Sequence, residues 1–448
     1  MKRRDFIKLT LLTGSYALVP NFCYGTVLDV SKINFSTNVY ESNDAQTIII
    51  FTYGGASQLG GNLTNIEEIE KKSQNSYYDY FRGVTKTENN CWQEAGGAHM
   101  ETLMASGDMT IFRCCYSQVR EDEGNKAHGV CTIQNQKGSF DDDGNGGIIS
   151  SIAQILKENN IVDENTLMPF VTMEGDSAFY LDGKIPVPGY LKPVGVDEDF
   201  NNPYDRYSRD WYYYTHAERE VDGYRDSDPA LSEEMDNLAQ SYNKKGKIKD
   251  AFALRGGLAN FIEEVKTSTV PDLGENEYPD NNFADKLKAA IKLLDKNSDT
   301  KIITLGTGGL GGWDDHNDAR DYVLRMENLF QSLNSAIAHL KAIGKDQNIN
   351  IMVFGEFGRN VNLNSAYGWD HGNLQNFYLL GGLDYFKHKG VVGETVLSET
   401  GAINRLFLKP KSGTYWFEPL SIAATIYKIY GIENPEILTD GYGSIDIF

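Results

Sequence analysis

The sequence predicts a doubly wound α/β protein built on a mostly parallel sheet. Three observations carry this prediction. Apolar, β-branched runs recur at 46–53, 109–116, 168–173, 301–306, 350–355 and 376–381. They are apolar throughout and do not alternate, as strands covered on both faces require. Between them, apolar residues recur at three- and four-residue spacing, most clearly Tyr322, Met326, Leu329, Phe330, Leu333, Ile337 and Leu340, which marks an amphipathic helix. Strand followed by helix, repeated along a chain, builds a sheet with helices on both faces.

In chain order, Lys2-Arg3-Arg4-Asp5-Phe6-Ile7-Lys8 sets an arginine pair ahead of an apolar stretch from Leu9 to Pro20. That is the layout of a cleavable twin-arginine signal, expected over residues 1–25. Thr10, Thr13, Gly14 and Ser15 interrupt the stretch, and crossing ~30 Å of hydrocarbon takes about 20 apolar residues, so no stable membrane span is expected. The twin-arginine translocase is the partner this signal implies, and the periplasm or the medium is the destination. Residues 26–448 are expected to form one α/β domain.

Without residues 1–25 the chain loses a net +3, and its formal charge of −21 becomes −24. So acidic a surface argues against nucleic acid or anionic lipid as partners. A hydrophobic content of 40%, with 26 Tyr and 21 Phe, suits a large globular core. Cys91, Cys114, Cys115 and Cys131 are too few and too irregularly spaced for a disulfide scaffold or a zinc ribbon. One bridge among them, or four buried thiols, both remain open.

Further helices are legible at 148–156, 282–294 and 419–430. From about 184 to 296 the chain becomes rich in Tyr, Asp, Glu and Arg and contains Asp210-Trp211-Tyr212-Tyr213-Tyr214; this stretch reads as a lid-like insertion. The acidic run Asp141-Asp142-Asp143-Gly144-Asn145-Gly146 lacks the distal glutamate of an EF-hand and reads as a solvated turn.

In open α/β sheets, functional groups gather at the carboxyl edge of the strands. Gly54-Gly55-Ala56-Ser57-Gln58 follows the first strand, and its glycines allow a tight turn from which Ser57 can present a hydroxyl. Gly312-Trp313-Asp314-Asp315-His316-Asn317 follows the strand at 301–306, and carboxylates beside an imidazole suit a divalent metal. Gly355-Glu356-Phe357-Gly358-Arg359 follows the strand at 350–355, and Arg359 can hold a tetrahedral anion or a carboxylate by a forked contact. Tyr367-Gly368-Trp369-Asp370-His371-Gly372 comes shortly after. In an extended backbone Asp370 and His371 point to opposite sides, toward two metals or one metal and one substrate group. His128, beside Gly129, joins His316 and His371 as a candidate, whereas His339 in mid-helix and His388 between two lysines read as surface residues.

With these landmarks in place, the chain resembles the bacterial domain-of-unknown-function family 1501, which is sulfatase-like and belongs to the alkaline phosphatase superfamily. The resemblance rests on the twin-arginine start, Gly54-Gly55-Ala56-Ser57-Gln58-Leu59, Ala127-His128-Gly129, Gly312-Trp313-Asp314-Asp315-His316, Glu356-Phe357-Gly358-Arg359 and Asp370-His371-Gly372. It implies a three-layer αβα core in which Asp and His bind divalent cations beside a nucleophile. Carried over by motif, Asp314, His316, Glu356, Asp370 and His371 are the expected metal ligands, and Ser57, His128 and Arg359 the expected catalytic residues. The first strand departs from the metal-dependent pattern, ending in Thr52-Tyr53-Gly54-Gly55 without a carboxylate.

The expectation is an exported hydrolase of phosphate or sulfate esters that depends on a divalent metal (Zn, Ca, Mg or Mn). An anionic ester or a glycan would be its substrate. The alternative is a non-catalytic binding or envelope-assembly protein on the same fold with a degenerate metal site, favoured by the missing first-strand carboxylate.

Overall fold

The computed structural model describes residues 28–36, 45–72, 84–140, 146–175, 177–183, 186–200, 261–399 and 405–447. The expected signal at 1–25, the acidic run at 141–145 and residues 201–260 of the expected insertion lie outside them.

The strands are β1 (Gln46–Thr52), β2 (Met109–Tyr116), β3 (Phe170–Thr172), β4 (Val194–Gly195), β5 (Ile302–Gly306), β6 (Ile349–Gly355), the short pair β7 (Gly358–Arg359) and β8 (His371–Gly372), then β9 (Leu374–Gly381) and β10 (Gly390–Val392). Among the described residues, eight of them form the central sheet in the order β10-β2-β9-β6-β1-β5-β3-β4. All its pairings are parallel except those of β9, which runs antiparallel to both β2 and β6.

Successive side chains of a strand point to opposite faces, and here both faces are apolar. On β1, Ile48 and Ile50 enter one layer of the core while Ile49 and Phe51 enter the other; β6 divides Ile351 and Val353 from Met352 and Phe354 in the same way. The first layer is closed by α1 (Ala98–Ala105), α5 (Asn282–Lys296) and α6 (Tyr322–Ala342). The second is closed by α4 (Ile148–Glu158) and α7 (Leu420–Ile429). Two short helices between β2 and α4, α2 (Gln118–Glu123) and α3 (His128–Lys137), lie near the site described below. Each Ile, Leu or Phe withdrawn from water contributes ~1.5–3 kcal/mol, so the sheet is held from both sides. Helix α5 falls within the stretch expected as an insertion, yet Phe283, Leu287, Ile291 and Leu294 belong to the first core layer. Cys91, Cys114, Cys115 and Cys131 are free and buried. Among the described residues no helix is long and apolar enough to cross a membrane.

Two histidines expected at the surface are not there. His339 is 2% exposed, because α6 is covered by the sheet on one side and by the segment around Tyr278 on another; the Tyr278 hydroxyl and His339 Nδ1 stand 3.2 Å apart. His388 is half-buried, bonded to the Gly381 carbonyl at 2.8 Å and to the Thr110 hydroxyl at 3.2 Å. It ties the exit of β9 to β2.

Truncating Phe51, which makes edge-on contacts with Phe179 and Phe354, is expected to cost ~3–5 kcal/mol in denaturant unfolding. A pH dependence follows from His339. Desolvation, aided by Lys292 and Lys288 and opposed by Asp295, pushes its pKa down from 6.5 to about 4. It is therefore neutral when folded and takes up a proton first in the unfolded chain. Stability is expected to fall as pH drops from about 6.5 to about 4 and to be indifferent to this group above that window. His339→Leu should flatten that part of the stability profile.

Candidate metal centre

The site lies at the carboxyl edge of the sheet and is assembled from four chain segments. At the end of β1, Gly54 and Gly55 adopt φ of +101° and +73°, and a Cβ on either would meet the Asp314 amide nitrogen or the Phe357 ring within 3 Å. Only glycine fits here, and the backbone comes close enough for polar contact. The Gly54 N–H donates to Glu356 Oε1 at 2.5 Å. Gln58 clasps the backbone of Arg359, accepting from its N–H at 3.0 Å and donating to its carbonyl at 2.7 Å.

The loops after β5 and before β8 are laced together by backbone. Trp369 N–H donates to the Asp315 carbonyl at 2.6 Å, and Asp318 N–H and Ala319 N–H donate to the carbonyls of Ala366 and Tyr367 at 2.9 and 2.8 Å. Strands β7 and β8 pair antiparallel, with Arg359 opposite His371. Asp370 and His371 precede β9 instead of following a parallel strand. They reach the carboxyl edge because β9 is reversed, so its leading end lies where the other strands end.

Helix α3 delivers the fourth segment. His128 opens it, and residues one and two turns on, Thr132 and Asn135, share its face. Thr132 donates its hydroxyl to Glu356 Oε2, and Asn135 donates to the carbonyls of Gly355 at 2.7 Å and Glu356 at 3.1 Å. Arg120, on α2, donates to the Glu356 carbonyl at 3.0 Å and to Asn135 Oδ1 at 2.6 Å. Helix α2 runs as far as Glu123, and only the short stretch 124–127 separates it from His128.

His128, Asp314, His316 and His371 each bring one ligand atom within 4.8 Å of the others. Asp314 Oδ1 is 3.2 Å from His128 Nε2, 3.3 Å from His316 Nε2 and 3.9 Å from His371 Nε2, while the last two nitrogens are 2.7 Å apart. The partners of the outer ring nitrogens set the tautomers. His128 Nδ1 faces Glu356 Oε1 at 2.9 Å, His371 Nδ1 faces the Lys126 carbonyl, and His316 Nδ1 has Asp370 Oδ1 at 3.6 Å. His128 Nδ1 and His371 Nδ1, each hydrogen-bonded to an acceptor, carry the proton, and the Asp370 charge favours the same tautomer at His316, which leaves the Nε2 lone pairs turned toward one point. Burial, despite the Lys126 carbonyl, pushes the His371 pKa down to about 4, which keeps it neutral. His128 Nε2 is buried and has no hydrogen-bond partner; its approach to Asp314 is close but misaligned. Burial tends to raise the Asp314 pKa, but the hydrogen bond and charge of Arg359, with His128 and His316, hold it below the ordinary value.

Three lone pairs and a carboxylate oxygen crowded together repel unless a cation stands among them. Two ligands ~2.0–2.1 Å from one tetrahedral ion are themselves ~3.3 Å apart, close to the separations from Asp314 to His128 and His316. The residues therefore fit a metal ion.

The other expected site residues have different positions. Glu356 is buried and holds His128 from behind. Asp370, paired through Oδ2 with Arg405 at 3.0 Å, stands beside the outer nitrogen of His316. Neither is among the four converging donors; both occupy the outer positions that orient imidazole ligands. Arg359 is 1% exposed and donates to the carbonyls of Gly54, Gly55, Trp313 and Trp369 and to Asp314 Oδ1. These contacts use its guanidinium within the protein, so the expected clamp on a substrate anion does not fit. Ser57 is 3% exposed. Its Oγ accepts from Leu59 N–H at 3.4 Å, its carbonyl accepts from the Tyr322 hydroxyl, and it lines a small void with Met326, Leu329 and Tyr378. The reading of Ser57 as an exposed nucleophile is corrected on this geometry: it caps the turn Gln58–Gly61. Sequence reading missed Thr132 and Asn135, although their spacing from His128 on one helix is the signal that finds them.

None of the curated proteins matches the chain. Among solved structures, it is similar to Ps i-CgsB in complex with k-i-k-neocarrahexaose, at 11% identity over 89% of this chain and 74% of that one, with a TM-score of 0.38. It is similar to the alkaline phosphatase of the Antarctic bacterium TAB5 at 13% identity, 87% and 98% coverage and a TM-score of 0.36. The phosphonate monoester hydrolase SpPMH of Silicibacter pomeroyi gives 14% identity, 90% and 75% coverage and a TM-score of 0.37. The family described as "Protein of unknown function (DUF1501)" matches residues 45–402, and the chain belongs to that family.

Proposed function

We propose that the chain is a metal-dependent hydrolase of phosphate or sulfate esters, with one metal ion held by His128, Asp314, His316 and His371. The carrying observation is the convergence of three Nε2 lone pairs and Asp314 Oδ1, one of those nitrogens buried without a partner. Three imidazoles and one carboxylate favour zinc over manganese, magnesium and calcium, which prefer oxygen donors. Bound there with a further coordination position open on the exposed side of Asp314, the ion would supply a Lewis acid that activates water and offsets charge on the ester. Glu356 and Asp370 orient His128 and His316, and Arg359 lowers the basicity of Asp314 and fixes its carboxylate. Ser57, turned into the protein, leaves the attack to water. In this reading the protein is exported through the twin-arginine route, with residues 26–448 as its working domain and an anionic ester or glycan as its partner.

A second reading, a metal-holding binding protein without turnover, is favoured by the burial of Ser57 and by the absence of a carboxylate at the end of β1. Elemental analysis separates structure from occupancy. Wild type is expected to carry about one zinc per chain, and His316→Ala or Asp314→Asn to lose it with the fold intact by circular dichroism. Wild type with no metal after loading overturns the proposal. Aryl phosphate and aryl sulfate turnover should depend on the metal and persist in Ser57→Ala; one bound metal with no turnover of either ester favours the binding reading. Arg359→Met should instead destabilise the fold by ~3–5 kcal/mol in denaturant unfolding, because it strands buried carbonyls and Asp314.

A further inference from the structure

A second polar feature lies beside the metal centre on the same sheet edge. A cavity of about 330 Å³ is lined by Tyr53, Met173, Glu174, Lys286, Thr307 and the glycines at 306, 308, 311 and 312, among others. It sits over the ends of β1, β5 and β3, whereas the four metal-binding candidates come from the start of α3, the loop after β5 and the segment leading into β9. The two share walls. Tyr53 precedes Gly54, its carbonyl accepts from Trp313 N–H at 3.4 Å, and Gly312 is two residues from Asp314.

Glu174 is the distinctive group in this cavity. Its Oε2 accepts from the Tyr53 hydroxyl at 3.0 Å, and that hydroxyl in turn accepts from Gln136 Nε2 at 2.8 Å. Oε1 is screened from solvent and has no hydrogen-bond partner. Burial pushes the carboxyl up to about 7, against the pull of the Tyr53, Ser177 and Thr304 hydroxyls, so near neutrality it can donate as well as accept. A buried acceptor left unpaired costs ~1–3 kcal/mol, which a ligand hydroxyl would recover.

We propose that this cavity is a subsite for the alcohol portion of the ester, a small neutral polyol or monosaccharide ring, anchored through a hydroxyl to Glu174. The proposal rests on the ester-hydrolase reading of the neighbouring centre. The volume sits at the small end of the ~300–1,000 Å³ typical of ligand pockets. Glu174 and Asp197 against Lys286 give no excess of positive charge to hold a second anion. The glycine walls leave flat peptide surface and room for a ring.

The test uses the full chain with and without its metal, and D-glucose, N-acetylglucosamine, myo-inositol and glycerol as probes in saturation-transfer NMR. At least one is expected to bind wild type in both states, and binding should weaken at least tenfold in Glu174→Leu. Gly312→Leu gives an independent check, because a Cβ at Gly312 meets open space and a larger side chain can fill the cavity without a backbone clash. It should also abolish binding while metal content stays at the wild-type level. No binding of any probe to wild type, or binding that survives both variants, overturns the subsite. Loss of metal content or of aryl-ester turnover in wild type would count against the centre itself, so the two failures are distinguishable.

Discussion

The buried guanidinium of Arg359 is the contact on which the rest of the site depends. One planar group satisfies carbonyls from the end of β1, from the loop after β5 and from the segment before β8, and it reaches Asp314 as well. These segments are far apart in the chain and would otherwise end in buried acceptors without donors. Arginine suits the task because its donors lie in a fixed plane and its charge is permanent. Lysine would offer a single ammonium and leave several of the carbonyls unpaired.

Outside this hub, the electrostatics of the centre follow from hydrogen bonding at the far side of each ring. A carboxylate behind His128, a carbonyl behind His371 and Asp370 beside His316 all favour the same tautomer. The converging nitrogens are left bare for that reason, and the preference is written into the surrounding fold. The exposure of Asp314, about half of its side chain, keeps the centre open on the outer side, whereas Glu356 seals it from beneath.

Much of the fold was legible in the sequence, because strands buried on both faces must be apolar throughout and β1, β2, β5, β6 and β9 have that pattern over most of their length. The reversal of β9 was not legible, since a doubly buried strand reads the same in either direction. That reversal decides where Asp370 and His371 fall. The acidic and histidine clusters were visible as residue types, but which atoms converge depends on tertiary register. Asp314 and its neighbour Asp315 look alike in sequence, yet Asp315 is paired with Arg325 at 2.5 Å. Ser57 looked exposed because Gly-rich turns usually are, and the hydroxyl of Tyr322 and the cap on Leu59 drew it inward. His339 looked exposed because a mid-helix polar residue normally faces water, while α6 is covered on more than one side.

The converging donors come from residues 128, 314, 316 and 371, and no short peptide of this chain contains three of them. Any ion at the centre therefore binds the finished tertiary structure and has little purchase on a partly synthesised or unfolded chain, so its binding free energy adds to global stability. Contacts of such long range form late in folding. A chain that holds metal at this centre would thus take it from whatever surroundings it occupies once folded, and loading would record where folding was completed.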